Sequence, residues 1–137
     1  MTPEESKDYI DGLVTATAAA VGGEWDISRL AARECFFGDD EVGVYFAYAA
    51  TSKPGADDLQ AVSATVLDLW RSQYGLDDAE VYDSPVGDVP GIGVRVPTRD
   101  DLFGIRFDAT EHALTMNGTS SCTPGDAEQI NRDRDSK

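Results

Sequence analysis

GIGVRVPTRDDLFGIRFDATEHALTMN, residues 91–117, carries the alternation that decides the fold. Ile92, Val94 and Val96 alternate with Gly93 and Arg95, the period-two pattern of a half-buried strand. A second run, Leu102 to Asp108, places Phe103, Ile105 and Phe107 on one face and Arg106 and Asp108 on the other. A third, His112 to Asn117, sets Leu114 and Met116 on the side of His112. Pro97-Thr98-Arg99-Asp100 and Asp108-Ala109-Thr110-Glu111 have turn chemistry between the runs. Strands joined by connections this short must run antiparallel.

Glu80 to Asp83 reads as one more short strand. Upstream of it, Leu59, Val62, Val66, Leu69, Trp70 and Tyr74 recur at helical spacing, with Asp57 and Asp58 in the first turn and Gly75 at the end. Residues 30–37 and 42–50 read as two further strands, with Gly38-Asp39-Asp40 as the hairpin turn between them. The chain begins with a helix. Thr2, Pro3 and Glu5 supply an N-cap, a first-turn proline and a capping-box glutamate, and Gly22-Gly23 ends the apolar stripe. The order α-β-β-α-β-β-β-β predicts an α+β domain: an antiparallel sheet of about six strands with two helices packed on one face. Residues 1–130 form the single domain, and 131–137, NRDRDSK, a flexible C-terminal tail.

The 137 residues carry 26 acids against 11 bases, a net charge of −15, and 18 of the acids are Asp. A field of that sign disfavours nucleic acid and anionic lipid surfaces. It suits a cationic partner, a metal cation or plain solubility. No stretch approaches the ~20 apolar residues of a membrane span. MTPEES is no signal peptide, so the chain is cytoplasmic or Met1 stands in place of a removed export segment.

Only two cysteines are present, Cys35 in an early strand and Cys122 in the small-residue loop after the last one. A thiol at Cys122 would be exposed, and two sites are too few for structural zinc. The pair is expected to form a disulfide, which implies an oxidising compartment; the alternative is two unrelated thiols in the cytoplasm. Cys35, the segment Thr119-Ser120-Ser121-Cys122-Thr123-Pro124-Gly125 and the leading helix together resemble the soluble part of small actinobacterial cell-envelope lipoproteins of the LppA-like kind. The resemblance implies an envelope location through a removed N-terminal anchor and carries no established chemistry.

Four Asp pairs, 39–40, 57–58, 77–78 and 100–101, fit turns and helix starts as well as a cation. The densest acidic cluster, Asp39, Asp40 and Glu41, is the weak metal candidate. His112 is the sole histidine and no nucleophile elbow accompanies it. GDVPGIG, residues 87–93, reads as a turn before a strand rather than a phosphate loop. No catalytic residue and no cofactor is expected. Trp25, Arg95, Arg106 and Asp108 are the candidate partner or ligand surface, the last three on the sheet face that helices leave uncovered. The expectation is a monomeric, non-enzymatic, exported or envelope-attached domain that binds an unknown protein or small ligand. The alternative is a cytoplasmic acidic protein that neutralises a basic partner, as immunity proteins do.

Overall fold

A computed structural model describes residues 2–29, 31–37 and 41–135. The first helix, α1 (Pro3–Val21), starts at the capping box read in the sequence: Glu5 N–H donates to Thr2 Oγ1 and Thr2 N–H to Glu5 Oε1. It stops at Gly22, whose φ of +84° suits glycine. The second, α2 (Leu59–Ser72), is capped by Asp58, which accepts from Ala61 N–H at 3.0 Å.

The strands are β1 (Trp25–Arg29), β2 (Arg33–Phe37), β3 (Glu41–Tyr45), β4 (Ala47–Ser52), β5 (Glu80–Asp83), β6 (Gly91–Val96), β7 (Gly104–Thr110), β8 (Leu114–Thr119) and β9 (Thr123–Pro124). They form two antiparallel sheets. The larger has the order β1-β4-β8-β7-β6-β5, and the smaller the order β2-β3-β9. The class is α+β as expected, but the single sheet of about six strands is corrected to six plus three.

The physical reason lies at Phe46, inside the run read as one strand over 42–50. Phe46 separates β3 from β4, so the chain leaves the small sheet and enters the large one there. Ser120, between β8 and β9, makes the matching switch. Its N–H donates to Phe46 O, and its Oγ accepts from Phe46 N–H, both at 2.8 Å. One buried serine, through its amide and its hydroxyl, thus satisfies both backbone groups of Phe46 at the corner.

The register lines up Ala50, Met116, Phe107 and Val94 across four strands, and Tyr48, Gly118, Ile105 and Val96 in the next row. Gly118 apart, these side chains are buried and share one hydrophobic cluster with Ile10, Leu13 and Val14 of α1 and Val66, Leu69 and Trp70 of α2. Trp70 Nε1–H donates to Thr17 Oγ1 at 2.9 Å, fixing one helix on the other without an orphaned polar group. The helix α1 meets α2, β3, β4, β8 and β9, whereas α2 meets β5, β6 and β7.

A third helix, α3 (Ala127–Asp135), occupies much of what the sequence suggested was a polar tail. Ala127 and Ile130 pack on the core, and Asn131 exchanges two hydrogen bonds of 2.9 Å with the Ala32 backbone. Those few anchors hold a helix whose polar composition hides it.

Candidate functional site

Alternate residues on the large sheet point away from the core. Ala47 and Ala49 of β4, Asn117 and Thr119 of β8, Gly104 and Arg106 of β7 and Arg95 of β6 lie in register across it. They border a groove of about 520 Å³. Its floor is small side chains and bare glycine, Pro97 and Thr98 stand at its rim, and Glu80, Arg95 and Arg106 form one end.

That end is built on Tyr82. Its ring lies on Gly93, directly opposite in the register, where a Cβ would stand 2.4 Å from the ring. Glycine is therefore needed for the aromatic to lie flat on the strand. The Tyr82 hydroxyl donates to Asp108 Oδ1, as does Ser84 Oγ at 2.6 Å, while Arg106 Nε–H donates to Asp108 Oδ2 at 2.7 Å. Arg95 Nε–H donates to Glu80 Oε1 at 2.8 Å. The guanidinium carbons of Arg95 and Arg106 lie 4.5 and 5.3 Å from the centre of the Tyr82 ring, within cation–π range.

Electrostatics follow from these contacts. Burial would raise the Asp108 carboxyl, but hydrogen bonds from Arg106, Ser84 and Tyr82 and the Arg106 charge hold it below the ordinary value. Burial, then the hydrogen bond and the charge of Asp108, push the Tyr82 phenol up to about 12. The cluster is a carboxylate fixed by three donors.

Of the candidate surface residues, Arg95, Arg106 and Asp108 come together here. Trp25 does not: it is half-buried, on another part of the sheet. It opens β1 with its ring 6.5 Å from Phe107 on the core side, and its Nε1–H donates to Gly22 O. Tyr82, Ser84, Glu80 and Asn117 were missed. Gly93 carried a partial signal, because a glycine inside an alternating strand marks close approach of another group without saying which.

Asp39 and Asp40 lie outside the described residues, as does the turn read at Gly38-Asp39-Asp40, and Glu41 is exposed. Among the described residues no group of three or more acids, histidines or cysteines could hold a metal. Asp78 pairs with Arg99 at 2.7 Å, and Asp101 accepts from Phe103 N–H, so these members of the Asp pairs serve structure. His112 sits in the turn before β8, exposed, 3.4 Å from Glu111. No helix is long and apolar enough to cross a membrane among the described residues.

Cys35 and Cys122 are bonded, with S–S 2.04 Å and Cα–Cα 6.1 Å. The bond ties β2 to the segment between β8 and β9. Such a cross-link is consistent with an oxidising compartment.

No family model matches the chain, and no curated protein matches it. Its fold is similar to the crystal structure of a DUF4853 family protein from Actinomyces odontolyticus. The TM-score is 0.53 at 18% identity, over 90% of this chain and 64% of that one. The chain therefore spans less than two thirds of that protein's length. At this identity the likeness concerns the fold alone. It sets an actinobacterial protein beside this chain, as the sequence resemblance does, and has no bearing on lipid attachment.

Proposed function

We propose that the chain is an extracytoplasmic, non-enzymatic binding domain whose ligand surface is the open face of the large sheet. The observation that carries this reading is the groove over Ala47, Ala49, Gly104 and Asn117, closed at one end by Arg95 and Arg106. A face that only solubilised the domain would need no cluster of tyrosine, serine and arginine locked on a partly buried carboxylate. The Cys35–Cys122 bond supports the compartment, and the resemblance to envelope lipoproteins supports attachment there by an N-terminal anchor. The pinned donors of Asp108 make it a poor general base, which favours binding over catalysis.

Two measurements test this. Backbone amide NMR against a panel of neutral, cationic and anionic small molecules should show perturbations confined to Ala49, Arg95, Gly104, Arg106 and Asn117. A panel that leaves all of these unmoved removes the binding surface. Cell fractionation of the natural gene product with thiol alkylation should find both cysteines protected in the envelope fraction. Two free thiols in the cytoplasmic fraction would move the protein indoors.

A further inference from the structure

Arg95 and Arg106 are directly opposite each other on neighbouring strands, both on the open face and both about half exposed. Like charges facing across a ladder are unfavourable. In a chain with only 11 basic residues and a charge of −15, such a pair is hard to place by chance of composition. Each guanidinium spends its Nε–H on an acid, Arg95 on Glu80 and Arg106 on Asp108. That leaves the Nη groups of both without a carboxylate partner among the described residues. Both arginines line the groove, and so does Asn117, exposed and next to Arg106 in the register.

We infer that Arg95, Arg106 and Asn117 bind the carboxylate of a small organic acid whose apolar remainder lies along Ala47, Ala49 and Gly104. This rests on the open face being the binding surface and names the ligand class. A carboxylate between the two guanidiniums would accept from their remaining Nη–H groups, and the flat arginine fork matches a planar carboxylate. The same two side chains already show this preference toward Glu80 and Asp108. Overall charge selects among anions. Repulsion from the acidic molecule scales with ligand charge, so a monocarboxylate is favoured over a phosphate dianion. The small-residue floor leaves room for an alkyl or similar group and offers it no charge.

The test is an NMR titration at constant ionic strength with acetate, butyrate and hexanoate, and with inorganic phosphate. The Asn117 side-chain amide and the Arg95 and Arg106 Nε–H resonances are followed. Binding should tighten along the series, by up to about fourfold per methylene placed on the floor. Arg95→Gln should weaken hexanoate at least about tenfold, the scale of one charge-assisted contact. Glu80→Gln, which frees Arg95 and removes a competing carboxylate, should tighten it. Arg132→Gln, on α3, should change nothing. Each variant's amide spectrum verifies folding. Phosphate binding more tightly than hexanoate, or Arg95→Gln matching the parent, overturns the inference. If neutral molecules shift the groove while carboxylates do not, the ligand class falls and the binding face stands. If nothing shifts it, both fall.

Discussion

Tyr82 and Asp108 share one hydrogen bond and respond to pH in opposite directions. The Tyr82 phenol, raised to about 12 chiefly by burial and then by its bond to Asp108, ionises later than an unfolded tyrosine at ~10. Its contribution to stability is complete below about pH 10 and is lost as pH rises toward about 12. In a spectrophotometric titration at 295 nm, Tyr82→Phe should delete one step from the high-pH part of the curve. An unchanged curve would mean the ring is not held as described. Asp108 is lowered, with burial opposing and the hydrogen bonds from Arg106, Ser84 and Tyr82 prevailing; Asp78 is lowered chiefly by its hydrogen bonds from Arg99. Both contribute fully above the unfolded carboxylate value of ~3.9 and lose that contribution as pH falls below it. The urea midpoint should therefore drop on acidification below about pH 4. Asp108→Ala should cost about 2–3 kcal/mol at neutral pH, because Arg106, Ser84 and Tyr82 lose a partly buried acceptor.

Among elements, the corner at Phe46 and Ser120 governs which sheet each strand joins. Ser120→Ala leaves the buried Phe46 N–H without its acceptor. The expected loss is about 1–3 kcal/mol by urea denaturation. Ser120→Cys, a poorer acceptor of similar shape, should fall between, and equal stability of all three would show that water or a shift satisfies Phe46 instead. The disulfide holds the same region from the other side. Replacing both cysteines with alanine reopens a loop of about 88 residues, and the chain-entropy relation gives a loss of about 4–5 kcal/mol. These elements explain what the sequence made legible. The helices were readable because Thr2, Glu5 and Asp58 cap them with local chemistry and Gly22 stops the first. The meander from 91 onward was readable because Val94, Phe107 and Met116 face one core in strict alternation. The split at Phe46 was not, because Val44, Phe46 and Tyr48 keep a smooth apolar run while the backbone changes partners, and partner choice is a long-range property. The strand β1 hid in the polar stretch WDISR, where burial on one side is partial, and α3 hid behind charge. Three residues of the candidate face followed from alternation alone. Tyr82 and Asn117 needed the register between strands that no local pattern fixes.

For the molecule as a whole, charge sets the balance that these local devices must hold. Twenty-six acids and eleven bases leave most carboxylates without a basic partner. Ion pairs such as Arg29–Asp11 and Arg95–Glu80 are exposed on both sides. Pairs of that kind are each worth about 0–1 kcal/mol, and salt weakens them. Against them stands repulsion among the remaining acids, which acts over a Debye length of ~30 Å at 0.01 M salt and ~10 Å at 0.1 M. At low salt that range covers the whole domain; at moderate salt it covers only neighbours. Screening therefore removes more repulsion than attraction, and sodium chloride should raise Tm between about 10 and 200 mM. A gain of about 1 kcal/mol corresponds to about 4 °C for a domain of this size. Chloride is the salt to use, because sulfate stabilises proteins generally by exclusion from their surface. Asp88→Asn, which removes one exposed negative charge, should shrink the salt-induced rise in Tm. A Tm that falls as sodium chloride is added would place the dominant electrostatic term in the pairs, and the surplus of acids would then have to be offset by bound cations.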